Sequence, residues 1–160
     1  MTLVIRPAVA GDEELILHFI AALADYEKLS HQVRATGANL TKYLFGPQPH
    51  AWCDIAEWEG QPAGFAFWFY NFSTFASRPG IYLEDLIVEP HLRGHGIGKA
   101  LLANLARRAV AEGLCMVQWW VLNWNAPSIG FYQSIGAVPQ DEWTVFRLTG
   151  EPMQKLAEGA

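Results

Sequence analysis

Cysteine is scarce in this chain: Cys53 and Cys115 are the only two thiols among 160 residues. Both sit in apolar runs that read as strands, so buried, free thiols are expected rather than a disulfide framework or a catalytic sulfur. An uninterrupted stretch of ~20 uncharged apolar residues is lacking, which argues against a membrane-spanning helix. A cationic, apolar leader is lacking as well, because Arg6 and then Asp12, Glu13 and Glu14 interrupt the start. A cytoplasmic address is the expectation. Excess positive charge is also missing: the formal charge is −5 and the isoelectric point about 5.5. A nucleic acid or an anionic membrane would meet net repulsion, whereas a cationic substrate would be drawn in. His18, His31, His50, His91 and His95 show no ligand spacing with acids or cysteines, so no metal is expected. No linker, repeat or low-complexity segment divides the chain, and residues 1–160 read as one domain.

What is present is enough apolar side chain, 51% of the total, to bury a core without staples. Residues 2–6 read as a strand ended by Pro7. Asp12 is placed to cap a helix whose apolar face is Leu15, Phe19, Leu23 and Tyr26. Thr36 opens a second short helix, stopped by Gly46 and Pro47. Strands are expected at 52–58, 63–72, 81–88, 115–122 and 143–148. The 63–72 run is almost wholly apolar and aromatic, as a central strand should be. A long helix with the stripe Ile97, Leu101, Leu102, Leu105 and Ala109 should end at Gly113. Another should run from Ala126 to a stop at Gly136, and the tail at 152–157 is at most a short helix. The order βααβββαβαβ predicts an α/β or α+β fold with helices on both faces of a sheet.

Between the strand ending at Val88 and the long helix lies Arg93-Gly94-His95-Gly96-Ile97-Gly98-Lys99. Glycines let the chain turn tightly and let a ligand touch main chain. The free N–H groups and the dipole of the helix start favour an anion such as phosphate. The P-loop pattern fails, because Arg93 stands where it needs glycine and Ala100 where it needs a hydroxyl. The dinucleotide fingerprint fails too: the spacing is G-x-G-x-G, and no acid occurs between Glu112 and Asp141.

The run Arg-Gly-x-Gly-Ile-Gly-Lys-Ala-Leu-Leu instead resembles the pyrophosphate-binding motif of the GNAT acetyltransferases. Tyr82-Leu83-Glu84-Asp85-Leu86-Ile87-Val88 and Trp124-Asn125-Ala126-Pro127-Ser128, followed by Phe131-Tyr132 and Gly136-Ala137, are similar to the spermidine/spermine acetyltransferase branch. So are Tyr26-Glu27-Lys28-Leu29 with Gln32-Val33, and the segment from Glu142-Trp143 to Arg147-Leu148. The likeness covers nearly the whole chain in the right order. The polyamine enzymes carry an additional aspartate in the loop before the Leu-Glu-Asp strand. Here Asn71-Phe72-Ser73-Thr74-Phe75 holds no acid, and the chain looks more like the sister group that acetylates thialysine, a lysine-like diamine.

The resemblance implies a mixed, mostly antiparallel sheet in which a bulge splays two neighbouring parallel strands, and an acetyl-CoA-dependent N-acetyltransferase working as a homodimer. Arg93, Gly94, His95, Gly96, Ile97, Gly98 and Lys99 would hold the diphosphate. The pantetheine arm would pair with the main chain of Leu86, Ile87 and Val88, with Asn125 and Ser128 on the other wall. Asn125 also reads as a plain helix cap, and the two roles are compatible. Tyr132 would protonate the leaving thiolate: its phenol (pKa ~10) stays protonated where a thiol (~8.5) begins to ionise. Glu84 would bind the acceptor ammonium and take its proton, directly or through water. A carboxyl of ordinary pKa is a weak base for this, and cation binding is its firmer role. Tyr26, Glu27, Gln118, Trp119 and Trp120 would line the acceptor pocket, although Glu27 also reads as a solvated helix end and the tryptophans as sheet core. A protein acetyltransferase of the same fold and a non-catalytic CoA-binding module are the alternatives.

Overall fold

In the computed structural model residues 1–159 are described. By contacts they form two units, residues 1–120 and the described residues from 121 onward. The first unit is built as β1 (Leu3–Pro7), α1 (Glu13–Tyr26), α2 (Gly37–Phe45), β2 (Trp52–Trp58), β3 (Gln61–Ser73), β4 (Arg78–Val88), α3 (Ile97–Glu112) and β5 (Val117–Gln118), with single 3-10 turns at Ser30–Gln32 and Pro90–Leu92. The sheet order is β1-β2-β3-β4-β5. Every pair is antiparallel except β4 with β5, which is parallel.

Strand alternation assigns the two faces. Cys53, Ile55, Phe65 and Ile87 pack with Ile16 and Phe19 of α1 and Leu40 and Leu44 of α2. The opposite face is covered by α3. There Asp54 is only 4% exposed, and accepts from Trp68 Nε1 at 3.0 Å and from Asn104 Nδ2 at 3.3 Å. The Arg108 guanidinium lies 5.0 Å from the centre of the Trp68 ring. Burial holds the Asp54 carboxyl above its usual range, against the two donors and Arg108.

Caps explain two of the helix ends in this unit. The Thr36 side chain accepts from Asn39 N at 3.2 Å and starts α2. Gly113, with φ of +69°, ends α3 in the left-handed conformation. Asp12 occupies the cap position of α1, but its side chain bonds no helix amide there. Its carboxylate is engaged by Arg6 at 2.8 Å and by the N–H of Val9 at 2.8 Å. Close approach of β3 to β4 requires Gly64, where a Cβ would collide with the Ile87 carbonyl.

Three expectations are corrected. The strand at 115–122 shrinks to β5, two residues long, and Cys115 lies in a bend before it, half-buried and free. Cys53 is buried and free as expected, and its burial pushes the thiol pKa up. Residues 143–148, apolar enough for a strand, pair with nothing among the described residues and are exposed, with Trp143 at 78% and Phe146 at 92%. Alternating apolar side chains give strand propensity, but a strand exists only where a neighbour completes its ladder. The tail makes a longer helix than expected, α5 (Gly150–Gly159), after α4 (Ala126–Ser134) in the second unit.

Candidate active site

The register of β3 on β4 breaks once. Phe67 pairs with Asp85 and Trp68 with Leu83, so Glu84 has no partner residue on β3. This is a β-bulge, a device that re-aims side chains and ends regular pairing. Glu84 is exposed at the bulge. Asp85, opposite Phe67 and two residues before Ile87, shares the face that α1 covers. Half-buried there, its carboxyl is pushed up to about 7, first by loss of water and then by the charges of Glu84 and Glu27. Glu27, just past α1, is also raised, by burial alone. Three carboxylates therefore gather around the bulge.

Sequence reasoning singled out Glu84 and passed over Asp85. Two neighbouring acids in a regular strand point to opposite faces, so only one of them is expected to face the cleft. An extra residue in one strand breaks that alternation, and residue types alone do not announce it.

Of the aromatic residues expected at the pocket, Trp120 is 55% exposed, and its ring centre lies 5.7 Å from that of Tyr82 in an edge-on arrangement. Tyr82 in turn stands 5.0 Å from Phe69. Trp120 is thus a surface wall and not sheet core. Trp119 is half-buried, and Gln118 is exposed beside Tyr82 in the β4–β5 ladder.

That ladder has two residue pairs, Ile81 with Val117 and Tyr82 with Gln118. Beyond Tyr82, β4 continues to Val88 while β5 has ended. Among the described residues, the edge of β4 that includes Leu86, Ile87 and Val88 has no neighbouring strand on that side. The parallel pair itself is as expected.

The glycine loop follows directly. Gly94 and Gly96 have φ of +84° and +78°, conformations that favour glycine. Gly96 is the residue before α3, and no side chain caps that helix. A Cβ on Gly94 or Gly96 would meet no protein atom within 4 Å, and one on Gly98 would meet only Val88 Cγ2, at 3.8 Å. The glycines are therefore not demanded by packing inside the chain; they set the turn and keep its outer surface low. Ile97 is buried under the helix, and Lys99 is exposed. His95 turns back on the protein: Nδ1 lies 3.1 Å from the Leu92 carbonyl, and the ring centre lies 5.1 Å from that of Trp58. Arg93 also has protein partners. Its Nε donates to the Val88 carbonyl at 3.1 Å, and its guanidinium covers the Tyr26 ring at 4.9 Å.

In the second unit Asn125 is buried, and its side chain accepts from Ser128 N at 3.4 Å, making it the cap of α4. Tyr132 is half-buried on the same helix, its ring centre 5.5 Å from that of Phe131. No group of three or more His, Cys, Asp or Glu among the described residues is arranged to hold a metal ion. No described helix is long and apolar enough to cross a membrane.

The model of the acetyltransferase (GNAT) family matches residues 16–137. The chain belongs to the GNAT acetyltransferase family. A thialysine N-epsilon-acetyltransferase of Bos taurus is 37% identical over 164 residues, covering 96% of each protein. The spermidine/spermine N(1)-acetyltransferase-like protein 1 of Homo sapiens is 32% identical over 163 residues, covering 96% of this chain and 23% of that protein. Among solved structures, an integron cassette protein from the mobile metagenome of V. cholerae superposes with a TM-score of 0.81 at 26% identity, over 99% of each chain. An aminoglycoside acetyltransferase from a soil metagenome reaches 0.77 at 18% identity, which speaks to the fold alone. This GNAT enzyme is accordingly an N-acetyltransferase, and acetyl-CoA is the co-substrate of its family.

Proposed function

We propose that this GNAT enzyme transfers the acetyl group of acetyl-CoA to a primary amine of a small diamine, with thialysine or a lysine analogue preferred over spermidine. The observation that carries this reading is the bulge at Glu84. It sets Glu84 and Asp85 with Glu27 beside an open strand edge that leads into the glycine loop.

Acetyl-CoA supplies an acetyl group activated as a thioester. The N–H groups of the 94–99 loop and the start of α3 suit its diphosphate, and the edge of β4 at residues 86–88 offers main-chain bonds to an amide-bearing arm. One of those N–H groups is the proposed oxyanion donor. In the reaction a carbon–nitrogen bond forms, the carbon–sulfur bond breaks, the amine gives up one proton and the thiolate gains one. Glu84 is the proposed acceptor of the amine proton, directly or through water, and Tyr132 the proposed donor to sulfur. Asp85 and Glu27 hold the second, cationic end of the diamine, with Tyr26, Gln118, Trp119 and Trp120 as walls. Asn125 keeps its capping bond while lining the pantetheine side with Ser128. The family match runs across position 120, which supports one GNAT domain spanning both units.

Residues 71–75, which prove to be the end of β3 and the start of the turn after it rather than all loop, carry no acid, so a longer polycation would leave a distant ammonium unpaired. Exposed charge pairs are worth only ~0–1 kcal/mol, and the preference should be modest, about 10-fold in kcat/KM. The test is a panel of thialysine, lysine, putrescine and spermidine with acetyl-CoA in one buffer, scored by thiol release and product mass. Spermidine ahead by a wide margin would reverse the substrate assignment. Turnover only on a peptide would move the function to protein acetylation, and CoA binding without turnover of any amine would leave a binding module. The same resemblance leads us to propose a homodimer, which sedimentation of the purified chain would test.

A further inference from the structure

We infer that Arg93 is a positioning residue that joins the diphosphate loop to the acceptor wall, so that filling either site strengthens the other. This rests on the proposed placement of acetyl-CoA at the glycine loop and of the amine beside Tyr26. Arg93 opens the loop, yet its guanidinium is already engaged with protein on two sides. Nε donates to the carbonyl of Val88, the last residue of β4, at 3.1 Å, and the guanidinium carbon lies 4.9 Å from the centre of the Tyr26 ring.

Tyr26 is itself held in place. It is the last residue of α1, and the chain after it is locked by backbone bonds from Glu27 N to Leu23 O at 2.9 Å and from Leu29 N to Ala24 O at 2.8 Å. Lys28 turns left-handed between them, with φ of +61°. Glu27, whose charge acts on Asp85, follows Tyr26 directly. One side chain thus spans the open end of β4, the start of the phosphate loop and the acceptor wall.

The chemistry of arginine suits this bridge. A guanidinium is a flat fork of five N–H donors, so it bonds a carbonyl with one edge, covers an aromatic ring with a face, and keeps donors on the exposed edge for an anion. A diphosphate arriving at the loop fixes that fork in place, and through its face fixes the Tyr26 ring. An amine bound against Tyr26 holds the fork from the other side. The second ligand is then spared the ordering cost the first has met, and linkage makes the effect equal in both directions. An exposed cation–ring contact sets the scale at about 2–5-fold in affinity.

Calorimetric titration of the full chain with CoA, with and without saturating thialysine, tests this without turnover, because CoA carries no acetyl group. The dissociation constant of CoA should fall about 2–5-fold when thialysine is present. Tyr26→Phe, which keeps the ring face, should retain that factor. Tyr26→Leu, and Arg93→Lys, which keeps the charge but loses the flat fork, should bring it to one. Coupling that survives both Tyr26→Leu and Arg93→Lys overturns the inference. So does coupling lost as fully in Tyr26→Phe as in Tyr26→Leu, or two ligands that bind the unaltered enzyme independently. Failure of CoA or thialysine to bind the unaltered enzyme would count instead against the proposed function.

Discussion

Phe67 and Asp85 face each other across the β3–β4 ladder, one step past the point where Glu84 drops out of register. That step places Asp85 on the α1 face, where its pKa rises to about 7 against an ordinary value near 4. The folded chain then holds a proton that the unfolded chain has released. From about pH 4 to about pH 7 this group's contribution to stability falls as pH rises. Cation binding runs the other way, because it needs the carboxylate. The KM of a diamine should fall as pH rises through about 7. Asp85→Asn should remove that inflection, raise KM at pH 8 by about 10-fold, the scale of a hydrogen bond to a charged group, and narrow the stability difference between pH 5 and pH 8. Urea midpoints at the two pH values and KM from pH 6 to 9 decide the matter. An unchanged KM profile would remove Asp85 from the acceptor site.

Tyr132→Phe keeps the ring beside Phe131 and removes only the proton. If Tyr132 protonates sulfur, kcat should drop ~10²–10⁴-fold, with little change in acetyl-CoA affinity. Single-turnover rates, which exclude product release, would show whether the step itself is affected. A rate equal to the parent's would leave Tyr132 as packing.

Gly96 and Gly113 both have positive φ, +78° before α3 and +69° after it. Putting a side chain on either costs roughly 1–3 kcal/mol of backbone strain. Gly96→Val should additionally weaken CoA binding at least ~10-fold, because the new side chain stands on the outer surface of the loop where main chain must be approached. Gly113→Ala should lower the melting temperature and leave CoA affinity as it was. Equal CoA affinity in the two folded variants would displace the diphosphate from the loop.

The Asp54 carboxylate depends on Trp68 and Asn104 for its donors. Trp68→Phe keeps an aromatic ring there but deletes the indole N–H. A buried acceptor left short of a partner costs ~1–3 kcal/mol, and the lost volume adds to it. Chemical denaturation should show that loss. Unaltered stability would mean that Asp54 finds another donor.

The glycine loop, the stripe of α3 and the cap at Thr36 could be read from residue types, because each is a local event dictated by a few neighbouring side chains. The apolar run of β3 announced its central place for the same reason. A bulge is implied by the resemblance, but its place at Glu84 could not be read from residue types, since register belongs to a pair of strands and neither sequence contains it alone. The strand expected at 143–148 has the right alternation, yet its backbone finds no ladder among the described residues. Residues 115–122 carry a strand's composition over eight positions, but β4 pairs with only two of them. Arg93 was expected to face phosphate; its bond to Val88 and its place over Tyr26 depend on α1 returning to the loop from some 65 positions earlier in the chain.

The two-pair ladder between β4 and β5 has a consequence for how such a chain tolerates change. Past Tyr82, residues 83–88 present ~20 Å of strand edge, at about 3.3 Å per residue. Its donors and acceptors are peptide groups, common to nearly every residue. An alanine scan of Leu86, Ile87 and Val88 would register lost packing and leave the edge itself intact. Only proline, which deletes an N–H, or a shift in the bulge would silence it. Point substitutions can therefore accumulate at residues 86–88 without erasing the edge's capacity to bind, and those letters are free to drift as long as the strand beside them stops short.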